Sequence, residues 1–292
     1  RYCVGGYHPI ILGDLFKNGR YKVLHKLGWG GFSTVWAAKD LEKQEYVALK
    51  VSVAKIHDKS KEIKVLRTLA NLNSEETGSR HVMKLLDHFQ IAGPNGRHQC
   101  LVLEFLGPNV SDVREMYFDD ERFPAALAKN IAQQALAGLE YLHKHNIGHG
   151  DLHASNLAFV IPSLHTLTEA ELLQALQSPE TEPVSRKDGK PLEPDVPEYI
   201  VGSAHYPIDL TLSHQHIKII DFGGSFFNSD VPDTLHTPLS VRAPEIIFEQ
   251  KLDYRVDLWN AGCMVSEIPG RIDISKVANE DEAQSSNRST SS

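Results

Sequence analysis

The sequence predicts an α+β fold in two parts: a small antiparallel β part with one helix, then a larger, mainly helical part. Three observations predict it. Strand-like alternation of apolar and polar residues runs through the first hundred residues, one amphipathic helical pattern interrupts it, and helical periodicity takes over from residue 124.

The small part contains five strand-like runs and one helix. The strand-like runs cover residues 21–27, 33–39, 46–53, 83–91 and 98–105. A helix is predicted over 60–72, where apolar residues fall on one face and charged residues on the other. The last two runs are joined by residues 92–96, whose Asn–Gly pair predicts a hairpin.

The larger part begins with an amphipathic helix over 124–145, for which we predict a buried stripe of Ile131, Ala135, Leu139 and Leu142. A proline-rich insert follows at 162–214. It holds 7 of the 15 prolines, and within residues 161–216 nine acidic residues outnumber three basic ones. A capping-box pattern starting at Thr168 predicts a short helix through residue 177. The rest of the insert, to residue 206, is predicted to be an irregular surface segment.

Composition excludes several classes of protein. The formal net charge of −8 argues against a general nucleic-acid binder, and the apolar runs are too short to cross a bilayer. The three cysteines are few and far apart, which predicts a reducing, intracellular compartment. Because residue 1 is Arg, we expect further residues to precede it, and the polar, serine-rich stretch 271–292 predicts disorder.

A glycine-rich motif lies between the first two strands: Gly28, Trp29, Gly30, Gly31, Phe32, Ser33, Thr34 and Val35. Glycines let a backbone approach phosphate oxygens that a Cβ would obstruct. The motif lacks the Gly–Lys–Ser/Thr ending of a Walker A loop and the strand-to-helix setting of a dinucleotide fold. Taken alone, such a glycine-rich hairpin is more often a simple turn than a nucleotide-binding loop.

Two charged residues in the small part are candidates to hold an anionic ligand. Lys50 lies in an apolar strand, so its amine needs an anionic partner. Glu62, in the predicted helix, is a candidate partner that holds the lysine against phosphates. An exposed helix charge is the alternative for Glu62.

The larger part carries three polar motifs. After the long helix, Asp151 can orient a hydroxyl and accept its proton, and Asn156, five residues on, can bind a metal ion. Asp221 ends a strand before Phe–Gly, where a carboxylate suits magnesium. An Ala–Pro–Glu run at 243–245 and the run 257–263 follow.

In this order, the motifs resemble the signature set of eukaryotic-type protein kinases. Four stretches resemble the SR-protein kinases in particular: 2–9, 13–16, 27–36 and 85–96. That family also carries a spacer where the insert 162–214 lies. The resemblance covers about residues 2–267.

The resemblance implies a two-lobed, protein-kinase-like fold that binds ATP and Mg²⁺. It implies that Leu27, Val35 and Ala48 enclose the adenine and that Glu104 and Leu106 offer backbone hydrogen bonds at the hinge. The γ-phosphate would pass to a Ser or Thr hydroxyl of a protein, Arg/Ser-rich segments included. Cytoplasm or nucleus is the implied compartment.

Three positions depart from the general kinase pattern. Ser33 replaces the third glycine, as it does in the SR-protein kinases. Gly150 stands where an arginine normally grips an activation-segment phosphate, which predicts that phosphorylation of that segment is not the switch. His153 stands where most such kinases place a lysine against the γ-phosphate, and a part-charged histidine predicts weaker transition-state stabilisation.

Two alternatives stay open. The loop from His149 to Asn156 also resembles that of aminoglycoside- and choline-type small-molecule kinases. In addition, the pattern ends after residue 268, so the resemblance implies a large lobe without its last helices. That allows a pseudokinase scaffold that binds nucleotide without turnover. The expected organisation is an N-terminal extension, a small lobe, a large lobe with its insert, and a disordered tail: 1–20, 21–106, 107–267 and 268–292.

Overall fold

An antiparallel sheet of six strands, in the order β1-β2-β3-β4-β6-β5, forms the first part of the computed structural model. The structure describes residues 1–55, 60–72, 75–118, 122–162, 164–206, 208 and 215–268. The strands are β1 (Leu15–Phe16), β2 (Tyr21–Trp29), β3 (Ser33–Asp40), β4 (Glu45–Ser52), β5 (Leu85–Gly93) and β6 (Gly96–Glu104). All five strand-like runs are confirmed. The predicted hairpin between the last two runs is confirmed, but its loop is shorter than the five residues predicted, because the strands extend until only Pro94 and Asn95 join them.

Alternation along β3 gives the sheet two different faces. Trp36 and Ala38 are buried in a cluster with Val47 and Leu49 on the outer face. Val35, on the other face, borders the cleft between the lobes. The same period of two therefore builds the core of the small lobe and the roof of the cleft.

One helix, α1 (Ser60–Asn71), packs against this sheet and confirms the prediction for 60–72. Its Val65 and Leu66 are fully buried, as the amphipathic pattern requires. Glu62 lies on the same buried side, and only 3% of its surface is exposed. The helix therefore carries one carboxylate into the interior, where a cationic partner is required.

The second part is built mainly on helices. They are α2 (Val110–Tyr117), α3 (Ala125–Lys144), α5 (Pro244–Ile247) and α6 (Val256–Glu267). Short antiparallel pairs join β7 (Ile147–Gly148) to β12 (Phe226–Phe227) and β8 (Leu157–Phe159) to β11 (Ile217–Ile219). The four residues of the predicted stripe of α3 are all buried, which confirms that helix. The expected tail lies outside the described residues, apart from Ile268.

The insert is more ordered than its composition predicts. A short helix, α4 (Glu169–Ala175), begins with the predicted capping box, in which Thr168 and Glu171 satisfy each other's backbone amides. The expected irregular remainder contains a hairpin of β9 (Thr181–Pro183) and β10 (Tyr199–Val201). Leu172 and Val201 are buried against the small lobe, so apolar side chains spread among prolines order the segment.

No helix among the described residues is long and apolar enough to cross a membrane. Cys3, Cys100 and Cys263 are all free thiols. Burial raises the pKa of the Cys100 thiol to about 12, so this cysteine behaves as a small core residue.

A histidine pair, in which His98 is buried and His8 is half-buried, predicts that the free energy of unfolding falls in mild acid. The ring of His8 lies 4.9 Å from that of His98, and burial, with the charge of His98, lowers the pKa of His8 to about 4. Unfolded His8 binds a proton near pH 6.5, so its contribution is complete above that pH and is lost as pH falls toward 4. We expect protonation of His8 alone to lower the free energy of unfolding by about 1–2 kcal/mol at pH 5 relative to pH 7.5.

Urea unfolding at the two pH values measures this loss, with His8→Gln as the comparison. The variant should show a smaller difference between pH 5 and pH 7.5 because glutamine does not titrate. An identical pH difference in both proteins would contradict the assignment to His8.

Candidate active site

The cleft between the two lobes encloses about 700 Å³. Its walls include most of the residues predicted to bind the cofactor or metal: Leu27, Gly28, Trp29, Gly30, Ser33, Val35, Ala48, Lys50, Glu104, Leu106, Asn156 and Asp221. The elements that meet here are the turn between β2 and β3, strand β4, the end of β6, and the segments that follow α3 and β11. Residues far apart in sequence therefore share one cavity of the size that small-molecule sites have.

An ion triad lies deep in the cleft. Lys50 Nζ donates to Glu62 Oε1 at 2.7 Å and to Asp221 Oδ1 at 2.8 Å. Although burial by itself lowers the pKa of Lys50, the carboxylates of Glu62 and Asp221 raise it above its usual value. The charge of Lys50, in turn, holds the pKa of Asp221 well below its usual range. Lys50 and Asp221 are therefore both charged at neutral pH.

Asp221 adopts a left-handed backbone conformation, with φ of 57°, and its carboxylate accepts from the amide of Gly223. The next residue, Phe222, is fully buried and makes an edge contact with the ring of His149. The buried phenylalanine fixes the chain on one side while the carboxylate, half exposed, faces the cleft.

The loop after β7 places three predicted catalytic residues together. Asn156 Nδ2 donates to the carbonyl oxygen of Asp151 at 2.8 Å and lies 3.1 Å from His153 Nε2. Asp151 Oδ2 lies 3.3 Å from the Asn156 amide nitrogen and 3.7 Å from His153 Nε2. The other carboxylate oxygen of Asp151 has no hydrogen-bond partner within the described part of the chain. That oxygen, Oδ1, is buried, whereas the Asp151 side chain as a whole is 29% exposed, so a substrate hydroxyl can reach the carboxylate on its Oδ2 side.

Four predicted binding residues lie away from the walls of the cleft. Glu62 sits behind Lys50, while Gly31 and Phe32 form the exposed tip of the loop. The prediction that the side chain of Thr34 lines the binding site is wrong. Its hydroxyl accepts a hydrogen bond from the indole of Trp36, so the side chain lies on the outer face of β3. Alternation along the strand sends every second side chain away from the cleft.

The backbone of the predicted catalytic loop, residues 149–156, is held by a residue to which the sequence pattern assigns no role. Asp257 is fully buried in α6, and its carboxylate accepts from the amides of His149 and Gly150 at 2.7 and 2.8 Å. His143 Nε2 lies 3.0 Å from the same carboxylate. The sequence signal that points to Asp257 is an acid beside apolar residues at the start of α6.

The glycine at position 150 has a structural reason. Its φ is +76°, and a Cβ there would lie 2.4 Å from the carbonyl oxygen of Gly224. A side chain would therefore be strained and would also collide with the segment after Asp221.

The insert also reaches the cleft, which the sequence patterns do not indicate. The backbone amide of Ala204 donates to the carbonyl oxygen of Lys26 at 2.7 Å. Leu176 and the stretch 203–206 contribute to the walls of the cleft. The insert thus completes the cavity beside the small lobe.

Comparison with known proteins agrees with this geometry. The family model for the protein kinase domain matches residues 21–165. The chain is 38% identical to protein kinase dsk1 of Schizosaccharomyces pombe, covering 62% of this chain and 32% of that one. It is 40% identical to human SRSF protein kinase 3, and the match covers 55% of this chain and 29% of that one.

A longer match is with the serine/threonine-protein kinase SRPK of Physarum polycephalum, 33% identical over 91% of this chain and 64% of that one. A solved crystal structure of a kinase domain superposes with a TM-score of 0.63 and 25% identity, covering 90% of this chain and 67% of that one. The chain spans about 30% of the length of the first curated relatives it matches.

Proposed function

We propose that this chain, whose residues 21–165 match the protein kinase domain and which resembles the SR-protein kinases, transfers the γ-phosphate of ATP to Ser or Thr hydroxyls of proteins. The observation that carries the proposal is the Lys50 ammonium group, held between Glu62 and Asp221 inside a cleft roofed by glycines. A fixed cation facing a glycine-lined loop suits a chain of phosphates.

Each residue has a role in the proposed reaction. Lys50 binds the α- and β-phosphates, and Glu62 keeps its amine in position. Asp151 accepts a hydrogen bond from the substrate hydroxyl, orients its oxygen toward the γ-phosphorus and takes its proton as the new O–P bond forms. The bond from phosphorus to the β–γ bridging oxygen breaks, and ADP leaves.

The donor set in the cleft fits magnesium. Asp221 offers a carboxylate and Asn156 an amide oxygen, and both are hard oxygen ligands. Magnesium is commonly held by one or two carboxylates together with substrate phosphates, so a protein cage of three acids is not required. When bound, it would neutralise phosphate charge. Asn156 is already oriented for this role by its hydrogen bond to Asp151.

The proposed substrates include Arg/Ser-rich segments. The insert supports this, because nine acidic residues against three basic ones within 161–216 give this part of the molecule a field that attracts cationic peptides. The scattered free cysteines support an intracellular compartment, cytoplasm or nucleus.

The proposal is tested by measuring nucleotide binding and phosphoryl transfer side by side. We expect ATP with magnesium to raise the melting temperature and radiolabelled γ-phosphate to appear on an Arg–Ser repeat peptide, with little on a Gly–Ser repeat of equal length. Lys50→Met should lose both signals. Stabilisation without transfer would favour a pseudokinase scaffold, and transfer to an aminoglycoside or choline but to no peptide would favour a small-molecule kinase.

The activation segment, residues 222–243, is expected to work without phosphorylation. Phe226 is buried and pairs with Gly148, and Arg242 donates twice to the carbonyl oxygen of Thr237, at 2.6 and 3.1 Å. These contacts hold the segment in place, a role for which other kinases use a phosphate group on the segment. Thr237 itself is 1% exposed, so a kinase would reach its hydroxyl only after local opening.

Bacterially produced protein treated with phosphatase should therefore keep its transferase activity. A variant with Thr234→Ala, Ser240→Ala and Thr237→Val tests this further. Valine preserves the buried shape of Thr237, whose hydroxyl has no partner among the described residues. Activity that is lost on phosphatase treatment and restored by rephosphorylation, except in the variant, would contradict this prediction.

A further inference from the structure

The glycine-rich loop is held from outside the cleft by the N-terminal segment. The hydroxyl of Tyr7 donates to the carbonyl oxygen of Gly30, and only 5% of Tyr7 is exposed. Arg1 Nη1 donates to the same hydroxyl at 3.1 Å, and its guanidinium group lies 5.0 Å from the ring centre of Trp29. Two consecutive residues of the loop thus contact one small group of N-terminal side chains.

That group is anchored to the rest of the small lobe. Asn95 Nδ2 donates to the carbonyl oxygen of Tyr7 at 2.7 Å, and Asn95 accepts from the amide of Gly5 at 2.8 Å. The amide of Ala54 donates to the carbonyl oxygen of Gly6 at 3.0 Å. Tyr7 therefore connects the loop to the β5–β6 turn and to the end of β4.

Apart from the pairing of β2 with β3 and Lys26 beside the ring of Trp29, few contacts fix the loop. A Cβ built on Gly28, Gly30 or Gly31 would meet no atom of the structure within 4 Å. Within the loop, the amide of Gly30 donates to Ser33, and the carbonyl oxygen of Phe32 accepts from Val53, both at 2.9 Å. Glycine has the largest backbone freedom to lose, so each added restraint lowers the entropy cost of ordering the loop around a ligand.

We propose that Tyr7 is a positioning residue for nucleotide binding, which sets the place of Gly30 over the phosphates without touching them. This inference rests on the proposed function for its consequence, since the ligand is ATP. The tyrosine hydroxyl pre-orders the loop, so nucleotide affinity depends on a residue outside the strands and loops that line the cleft. Chemistry on the bound nucleotide does not depend on it.

Tyr7→Phe tests the proposal, with Tyr21→Phe as the matched control. Tyr21 is 1% exposed in the same sheet and donates to Asp87 Oδ2 at 2.7 Å, so its variant also removes one tyrosine hydroxyl hydrogen bond. Hydrogen–deuterium exchange of residues 29–33 is measured in the protein without nucleotide. Calorimetry gives the Kd of ATP with magnesium, and a peptide phosphorylation assay gives KM and kcat.

In Tyr7→Phe we expect faster exchange at 29–33, a Kd and KM for ATP raised about threefold to tenfold, and kcat within twofold of the parent protein. Tyr21→Phe should leave all of these unchanged. Unchanged loop exchange in Tyr7→Phe, or an equal rise of Kd in the control, would overturn the proposal. If the parent protein bound no ATP, the proposed function would fail, while exchange in the free protein would still decide whether Tyr7 holds the loop.

Discussion

Replacing Asp151 with Asn is expected to reduce phosphoryl transfer by about 10²–10⁴-fold while leaving the affinity for ATP nearly unchanged. The side chain of Asp151 is 29% exposed, so the attacking hydroxyl can reach its carboxylate. An amide keeps the shape of the side chain but cannot take up the proton. The loss should therefore fall on kcat.

Single-turnover transfer of radiolabel and calorimetric titration with ATP separate the two quantities. Asp188→Asn is the control, since Asp188 pairs with Arg186 on the exposed surface of the insert at 2.7 Å. That variant should keep full transfer activity. Unchanged turnover in Asp151→Asn would mean that another group receives the proton, and the assignment of this loop would fall.

The part of the site that the sequence could predict is the part carried by ordered motifs. Lys50, Glu62 and Asp221 lie in three separate motifs, and the order of those motifs along the chain was enough to bring them together in one prediction. The Lys50–Glu62 contact of 2.7 Å is the pair that the sequence suggests, whereas the Lys50–Asp221 contact of 2.8 Å was not predicted. Periodicity served equally well for α3, because a long amphipathic helix buries the stripe that its pattern marks.

Features that depend on tertiary contact could not be read from the pattern. The hairpin of the insert forms in a segment rich in prolines and acids because Val201 packs against apolar side chains of the small lobe. Local sequence periodicity does not predict a contact of this kind. Thr34 is similar: residues around a glycine-rich turn share a motif, but only the register of β3 decides which side chains face the cleft. From the sequence, position 150 shows only that a glycine replaces the usual arginine. The structure adds the physical reason, because the φ of Gly150 is positive.

Asp257→Ala is expected to detach the catalytic loop and to lower the free energy of unfolding by about 3–5 kcal/mol. The carboxylate of Asp257 is fully buried and accepts from the amides of His149 and Gly150. Alanine leaves both buried donors without an acceptor and places no charge beside His143. The backbone that carries Asp151 then loses its attachment to α6.

The two consequences are separable by measurement. Urea unfolding gives the loss of stability, and hydrogen–deuterium exchange at residues 149–151 shows whether the loop opens locally while α6 stays protected. Asp253→Ala is the matched control, because its carboxylate pairs with Arg255, whose side chain is 72% exposed, and such pairs contribute about 0–1 kcal/mol. We expect transfer activity to fall at least tenfold in Asp257→Ala at a temperature where the protein remains folded, because a displaced Asp151 no longer meets the substrate hydroxyl. Equal stability and exchange in the two variants would show that the loop is held by other contacts.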